Sequence, residues 1–405
     1  MSSEPCPRAR PQDHDQLTLA DIVRSHADEL GPVAPQQARA LAAIADCRTE
    51  ALGGHRYGCD SCSHQLLLYN SCRNRNCPQC GSLRQTQWVE RRQADLLPVE
   101  YFHVVFTVAG ELHPLFLANP ARAYTLLFQA AADSLLELAR DPRLIGADLG
   151  LMAVLHTWSQ TLTYHPHVHC IVPGGGPSLN GTRWVSCRNE YLVPVRALSV
   201  LFRGKLLSRL QKALDAGHIQ PPAEFNTRRA LKRAARKKWH VYAKPSLLGP
   251  YHVIQYLGRY THRIAISNDR ILTLRKGQVT FRYRDRTRDD RTRMMTLPAH
   301  QFLRRFLLHV LPSGFVRIRY FGGLAHATRR LWLERSRQLL TEAGVPVPPA
   351  PAPLEAGESW QELLRRLTGR DFTKCPRCPT GRMIHLEQLD PLRPEHRSRP
   401  PPAPT

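Results

Sequence analysis

Tyr164-His165-Pro166-His167-Val168-His169-Cys170 is the stretch whose reading decides the fold of this chain. Histidines at every second position, 165, 167 and 169, point to one face of an extended strand. Three imidazoles so placed suffice for one divalent cation, and His165, His167 and His169 are the candidate ligands. Histidine-rich coordination by itself suits Zn, Mn, Fe or Ni better than Mg, which prefers oxygen ligands. Further along, Tyr256-Leu257-Gly258-Arg259-Tyr260 sets two tyrosines at i and i+4, on one face of a helix that Gly249-Pro250 opens. His252 sits one turn before Tyr256 and competes with His165 for the third ligand position; His165 is preferred because its strand geometry is already set. Gly258 costs a helix ~1 kcal/mol relative to alanine, which suggests a close approach there. Taken alone, the tyrosine pair reads more simply as packed aromatics.

Together the two motifs suit phosphodiester chemistry. A cation polarises a phosphate oxygen and fixes the scissile bond. Tyrosine, with an ordinary pKa near ~10, is a weak nucleophile that needs such help. Tyr256 and Tyr260 are therefore the candidate nucleophiles.

Working outward, Cys59-Asp60-Ser61-Cys62 and Cys77-Pro78-Gln79-Cys80 form a two-knuckle zinc-ribbon pattern. Cys59, Cys62, Cys77 and Cys80 are the expected ligands of one closed, structural zinc, with Cys72 able to replace one thiolate and His55 and His64 packed nearby. Cys375-Pro376-Arg377-Cys378 is half such a site, with no second pair downstream. Arg73 and Arg75, between the first knuckles, are candidate contacts to nucleic acid.

Fifty-seven Lys and Arg stand against 33 Asp and Glu, a net charge of +24 in 405 residues. Such an excess points to a polyanionic partner, with nucleic acid foremost. Arg228, Arg229, Lys232, Arg233, Arg236, Lys237 and Lys238 concentrate it in one helical stretch, and Arg259 and Arg263 extend it beside the tyrosines. A solvated helix face is the plainer reading of that stretch. Arg282 to Arg293 interleaves Asp285, Asp289 and Asp290 and reads as a salt-linked surface. No apolar run is long enough for a membrane span, and the N-terminus carries no signal core, so a cytoplasmic, nucleoid-associated protein is expected. Cysteines in that reducing compartment favour metal ligation over disulfides.

The periodicities predict strands at Tyr101–Val108, Leu151–Trp158 and His165–Val172, and helices at Ala121–Arg140, Leu198–Leu214 and Ala299–Val310. Short successive strands are expected at Arg263–Ser267, Ile271–Leu274 and Val279–Arg284, the last two joined by the Lys276-Gly277 turn. The expected organisation is N-terminal helices with a zinc-binding domain over 1–97, a catalytic domain over 98–343, and a Pro-rich linker and tail over 344–405.

Roughly Ala42 to Leu333 resembles the IS-ninety-one-type insertion-sequence transposases, a two-tyrosine class of HUH enzymes. The likeness rests on Ser71-Cys72-Arg73-Asn74-Arg75-Asn76-Cys77-Pro78-Gln79-Cys80, on His165-Pro166-His167-Val168-His169 with its Gly-rich exit, and on Tyr256-Leu257-Gly258-Arg259-Tyr260-Thr261-His262-Arg263. It implies an α+β fold: an HUH-type antiparallel sheet with packed helices, preceded by a small zinc-ribbon-like domain. By position it implies that His167 and His169 bind Mg or Mn and that Tyr256 and Tyr260 cleave single-stranded DNA at element ends, in rolling-circle-type transposition. Two other readings stay open from the residues: a rolling-circle initiator or relaxase with the same chemistry, and a zinc-ribbon nucleic-acid-binding protein without catalysis.

Overall fold

The structure, a computed structural model, describes residues 16–93, 95–187, 192–245, 265–285, 290–348 and 359–392. Tyr256, Tyr260, His252, Arg259 and Arg263 lie outside the described residues. The chain forms two compact units that interleave in sequence. One comprises Arg84–Ala265 and Leu308–Pro351; the other comprises Met1–Leu83, Ile266–Leu307 and Ala352–Thr405. Each unit therefore draws on segments that are distant in sequence. The physical reason is strand pairing between distant segments: Met383–Leu389 pairs with Gly54–Cys59, so the tail is an integral strand of the first domain and not an appendage to it.

The unit around residues 84–265 is an α+β fold built on a five-stranded antiparallel sheet. Its order is Ile318–Gly322, Gly150–Trp158, Tyr164–Pro173, Tyr101–Thr107 and Val241–Pro245. The two-residue period of a strand sorts the side chains cleanly. Phe102, Val104 and Phe106 join Leu151, Ala153 and Leu155, and Val168, Cys170 and Val172, on one face. Helices Pro120–Arg140 and Val195–Asp215 bury that face with Tyr124, Leu127, Phe128, Phe202 and Leu206. The other face is apolar at one end only. There Tyr101, Met152, Val154 and Ile171 pack with Trp88, Val89, Leu96 and Val99. Residues of the same parity toward the other end are His156, His167 and His169, so the alternation that fills the core also gathers imidazoles on the opposite surface.

Beside this sheet, the turn after Ile318–Gly322 depends on a glycine. A Cβ on Gly323 would sit 2.1 Å from the Trp332 ring, whose Nε1 donates to the Asp148 carbonyl at 3.1 Å. Overpacking of this kind costs about 1–3 kcal/mol. Gly323→Ala is therefore expected to lower the urea midpoint with an unchanged m-value; a midpoint equal to wild type would show that the indole gives way freely.

The other unit joins two smaller sheets to short helices. Leu19–His26 starts with a capping box, Thr18 and Asp21 satisfying each other's backbone N–H groups. It packs near Pro35–Asp46 and Ala299–Leu307, and Leu19 N–H donates to Asn268 Oδ1 at 3.0 Å. Ile271–Arg275, Gln278–Asp285 and Arg291–Pro298 form an antiparallel sheet, with Phe281 against Phe302. Its first two strands match the expected ones. The third, Arg291–Pro298, runs through part of the segment read as a salt-linked surface, and Arg284–Asp290 and Arg293–Asp285 pairs span that hairpin.

Candidate metal centres

On the open end of the large sheet, His156, His167 and His169 each offer a nitrogen within 4.8 Å of the others. His156 is 2% exposed and His169 7%. Ligands about 2.1 Å from one ion lie about 3.0–3.5 Å apart, so modest ring rotations would draw this triad onto a cation. His167 Nδ1 donates to the His165 carbonyl at 2.6 Å, which fixes its tautomer with the lone pair on Nε2. His169 Nδ1 meets His103 Nε2 at 2.8 Å, the two rings stacked at 5.0 Å. His156 stacks on Trp158 at 4.5 Å. Each imidazole is thus oriented by a neighbour, as ligand histidines are.

The third imidazole gathered beside His167 and His169 is that of His156, whereas the sequence expectation was His165. Residues i and i+4 of a strand are ~13 Å apart, too far for His165 and His169 to share an ion with His167 between them. A residue opposite on the next strand is only ~5 Å away, and His156 pairs directly with His167. The ladder is then irregular between His156 and Trp158, so His165 has no such partner. Its ring lies 6.4 Å from that of His113. Burial lowers the pKa of both, and the neighbouring His240 adds to the effect on His165, so both favour the neutral form.

His309 locks the hairpin that carries these strands. Its Nε2 donates to the Leu162 carbonyl at 3.1 Å and its Nδ1 accepts from Thr157 Oγ1 at 3.2 Å, a pattern only the neutral ring can satisfy. Burial depresses its pKa from 6.5 to about 4. The unfolded state then binds the extra proton, so this contribution is present above pH 6.5 and is lost as pH falls toward 4. The two values correspond to roughly 3 kcal/mol. Denaturation of wild type and His309→Gln at pH 7 and pH 4.5 should show the variant losing less stability on acidification; equal losses would exclude His309 as the acid-sensitive group.

In the other unit the expected zinc tetrad is rearranged. Cys77 and Cys80 converge with Cys47 and Cys72, whereas Cys59 and Cys62 lie with Cys375 and Cys378. The four predicted ligands therefore do not converge as one group. Strand pairing is the cause, because Cys59 stands opposite Met383 and brings the C-terminal knuckle onto the first. The first tetrad fits tetrahedral zinc. Cys72 and Cys80 sulfurs are 3.4 Å apart, near the ~3.8 Å of a ZnS4 site. Asn74 N–H donates to Cys72 Sγ at 3.4 Å and Cys72 N–H to Cys47 Sγ at 3.5 Å, bonds that favour thiolates. Hydrogen bonds shared with Cys47 and Cys72 hold the Cys80 thiol far below its usual range and push Cys77 far above it. Four sulfurs this close cannot all ionise without a cation among them. Cys47 sits at the C-terminal end of Pro35–Asp46 with no nearby cysteine in sequence, so nothing local marks it as a ligand.

Thr227–Arg236 is the expected basic helix, capped by Asn226 and seated by Ala230 and Ala234. Lys237 and Arg233 pair with the largely buried Glu111 carboxylate, which lies well below the usual carboxylate range because of the Lys237 hydrogen bond. Arg228, Arg229, Lys232, Arg236 and Lys238 are exposed, as are Arg73 and Arg75. Among the described residues no helix is long and apolar enough to cross a membrane.

Residues 150–331 match the family described as "Putative transposase", and residues 19–108 match the "Transposase zinc-binding domain". The chain is 45% identical over 383 residues to "Putative transposase y4qJ" of Sinorhizobium fredii, covering 92% of this chain and 95% of that one. It is 29% identical over 363 residues to the transposase for insertion sequence element IS801 of Pseudomonas savastanoi pv. phaseolicola, covering 86% and 83%. The chain belongs to the IS-ninety-one-type family of insertion-sequence transposases. Among solved structures, the conjugative relaxase TrwC in complex with OriT DNA aligns over 60% of this chain and 72% of its own, at 12% identity; the TM-score of 0.21 is too low to carry an argument.

Proposed function

We propose that this transposase cleaves and rejoins single-stranded DNA through 5′-phosphotyrosine intermediates, in rolling-circle-type transposition by an HUH-type catalytic domain. The observation that carries the reading is the His156, His167, His169 triad on the open face of the sheet. Mg or Mn held there would polarise a phosphodiester oxygen and lower the barrier to attack. The His165 carbonyl and His103 hold the ligand rings in place. Tyr256 and Tyr260 are the assigned nucleophiles. In the first step a tyrosine Oη bonds to phosphorus, the P–O3′ bond breaks, and the 3′-hydroxyl leaves with a proton. Because one phosphoester replaces another, rejoining needs no ATP, and the second tyrosine accepts the next strand before the first is released. The substrate is single-stranded DNA from the element ends, met at the nucleoid.

The test uses 5′- and 3′-labelled single-stranded oligonucleotides drawn from DNA flanking the gene, with and without Mg or Mn. Wild type is expected to give a denaturant-resistant protein–DNA adduct that needs metal and is absent from the Tyr256→Phe/Tyr260→Phe double variant. Tight binding without any adduct would sink the nuclease reading in favour of a non-catalytic DNA-binding protein.

Binding itself should use the helix Thr227–Arg236. Replacing Arg228, Arg229, Lys232 and Arg236 by alanine is expected to flatten the dependence of log K on log salt by about 0.7 per lost phosphate contact on single strands. A slope equal to wild type would leave that helix as a solvated face.

A further inference from the structure

Cys375 and Cys378 fall outside the matched zinc-binding region, yet they complete a second tetrad with Cys59 and Cys62. We propose that these four thiolates bind a second structural zinc ion, and that this ion clasps the C-terminal segment onto the N-terminal hairpin. Cys59 Sγ lies 3.6 Å from Cys378 Sγ, and Cys62 Sγ lies 3.8 Å from Cys375 Sγ. A tetrahedral zinc with bonds of about 2.3 Å holds its sulfurs about 3.8 Å apart, whereas a disulfide needs about 2.05 Å. Each knuckle also turns a backbone N–H onto its first sulfur, Ser61 to Cys59 at 3.4 Å and Arg377 to Cys375 at 3.3 Å.

The backbone around the tetrad is shaped for this approach. A Cβ on Gly381 would meet Cys59 Sγ at 2.2 Å and Cys378 Sγ at 2.8 Å, so only glycine lets the chain pass against both sulfurs. Asp60 N–H donates to the Arg382 carbonyl at 3.0 Å, and its carboxylate accepts from Arg382 N–H at 2.8 Å, joining the two knuckles edge to edge. Beyond them, Met383–Leu389 pairs with Gly54–Cys59. Apolar burial contributes little to this junction. Neither Gln65–Tyr69 nor Met383–Leu389 has a fully buried residue, and Leu66, Leu67, Ile384 and Leu386 are exposed. A small, open, three-stranded sheet of this kind cannot by itself hold the C-terminal segment firmly. Four charge-bearing ligand bonds can.

The experiment measures zinc per chain by plasma mass spectrometry, and amide hydrogen exchange, on the full-length protein. Cys375→Ser/Cys378→Ser is expected to carry one zinc equivalent fewer than wild type. It should also lose exchange protection in Met383–Leu389 while keeping it in Tyr101–Thr107. Cys378→His, which retains a ligand, should keep both the metal and the protection. Equal zinc content in wild type and the double variant, or unchanged protection of Met383–Leu389, overturns the clasp. A measurement that needs no substitution is cobalt titration of metal-stripped wild type. Thiolate-to-cobalt charge-transfer absorption should saturate at two equivalents, and saturation at one overturns the proposal.

Discussion

His156→Ala is expected to lower metal-dependent strand cleavage by about two to three orders of magnitude, while His165→Ala keeps most of it. The contrast follows from where the two rings stand. His156 is buried, faces His167 across the ladder, and has its ring centroid 4.5 Å from that of His169. His165 contributes its backbone carbonyl to His167, and that contact survives truncation to alanine. Loss of one of three ligands should appear first as a higher Mn concentration for half-maximal adduct formation, then as a lower maximal rate. Single-turnover adduct formation across a Mn titration reads both quantities, and the thermal midpoint checks that the variant is folded. If His165→Ala abolished cleavage and His156→Ala did not, the triad would be wrong and the along-strand set right.

The second large effect is on stability. Cys77→Ser is expected to remove one zinc equivalent and to release the loop from Cys72 to Cys80 from Cys47. Cys77 is 4% exposed among the sulfurs of Cys47, Cys72 and Cys80, and its N–H donates to the Asn74 carbonyl at 3.1 Å. Few apolar side chains are buried along that segment, so the metal supplies most of its folding free energy. Structural zinc in small modules binds with an apparent ~10–16 kcal/mol, and loss of a thiolate removes a large part of it. Hydrogen exchange should show the Cys72 and Cys77 amides, which donate to Cys47 Sγ and to the Asn74 carbonyl, unprotected in the variant and protected in wild type, with Gly150–Trp158 unaffected in both. Retained zinc with retained protection would mean that three thiolates suffice.

How much of this was legible beforehand divides along the range of the forces involved. Alternation of apolar residues in Tyr101–Thr107 and Gly150–Trp158, and the helical period of Pro120–Arg140, are local signals, and these elements appear where the pattern puts them. The α+β class and the antiparallel sheet follow from them. His167 and His169 were visible because both lie in one short motif. His156 was not, because a single histidine in an apolar strand becomes a neighbour of His167 only through cross-strand register. The cysteines repeat the lesson. Every Cys-x2-Cys knuckle looks alike in sequence, and which two knuckles come together is set by the pairing of Gly54–Cys59 with Met383–Leu389. Eight thiols dividing into two fours was the available clue, and Cys47 the one that no local spacing announces.

That same pairing sets an order of events during synthesis. The strand Gly54–Cys59 leaves the ribosome early, but Cys375, the partner of Cys62, is 313 positions further on. At about 5–20 residues per second, the N-terminal hairpin waits roughly 15–60 s for its third strand. Throughout that time Cys59 and Cys62 are two thiols of an unfinished site, and any message broken before codon 375 leaves them so. A transposase assembled in this way has an early-made hairpin completed by a segment made some 313 positions later, so that a product truncated between them carries an incomplete domain for proteases to recognise.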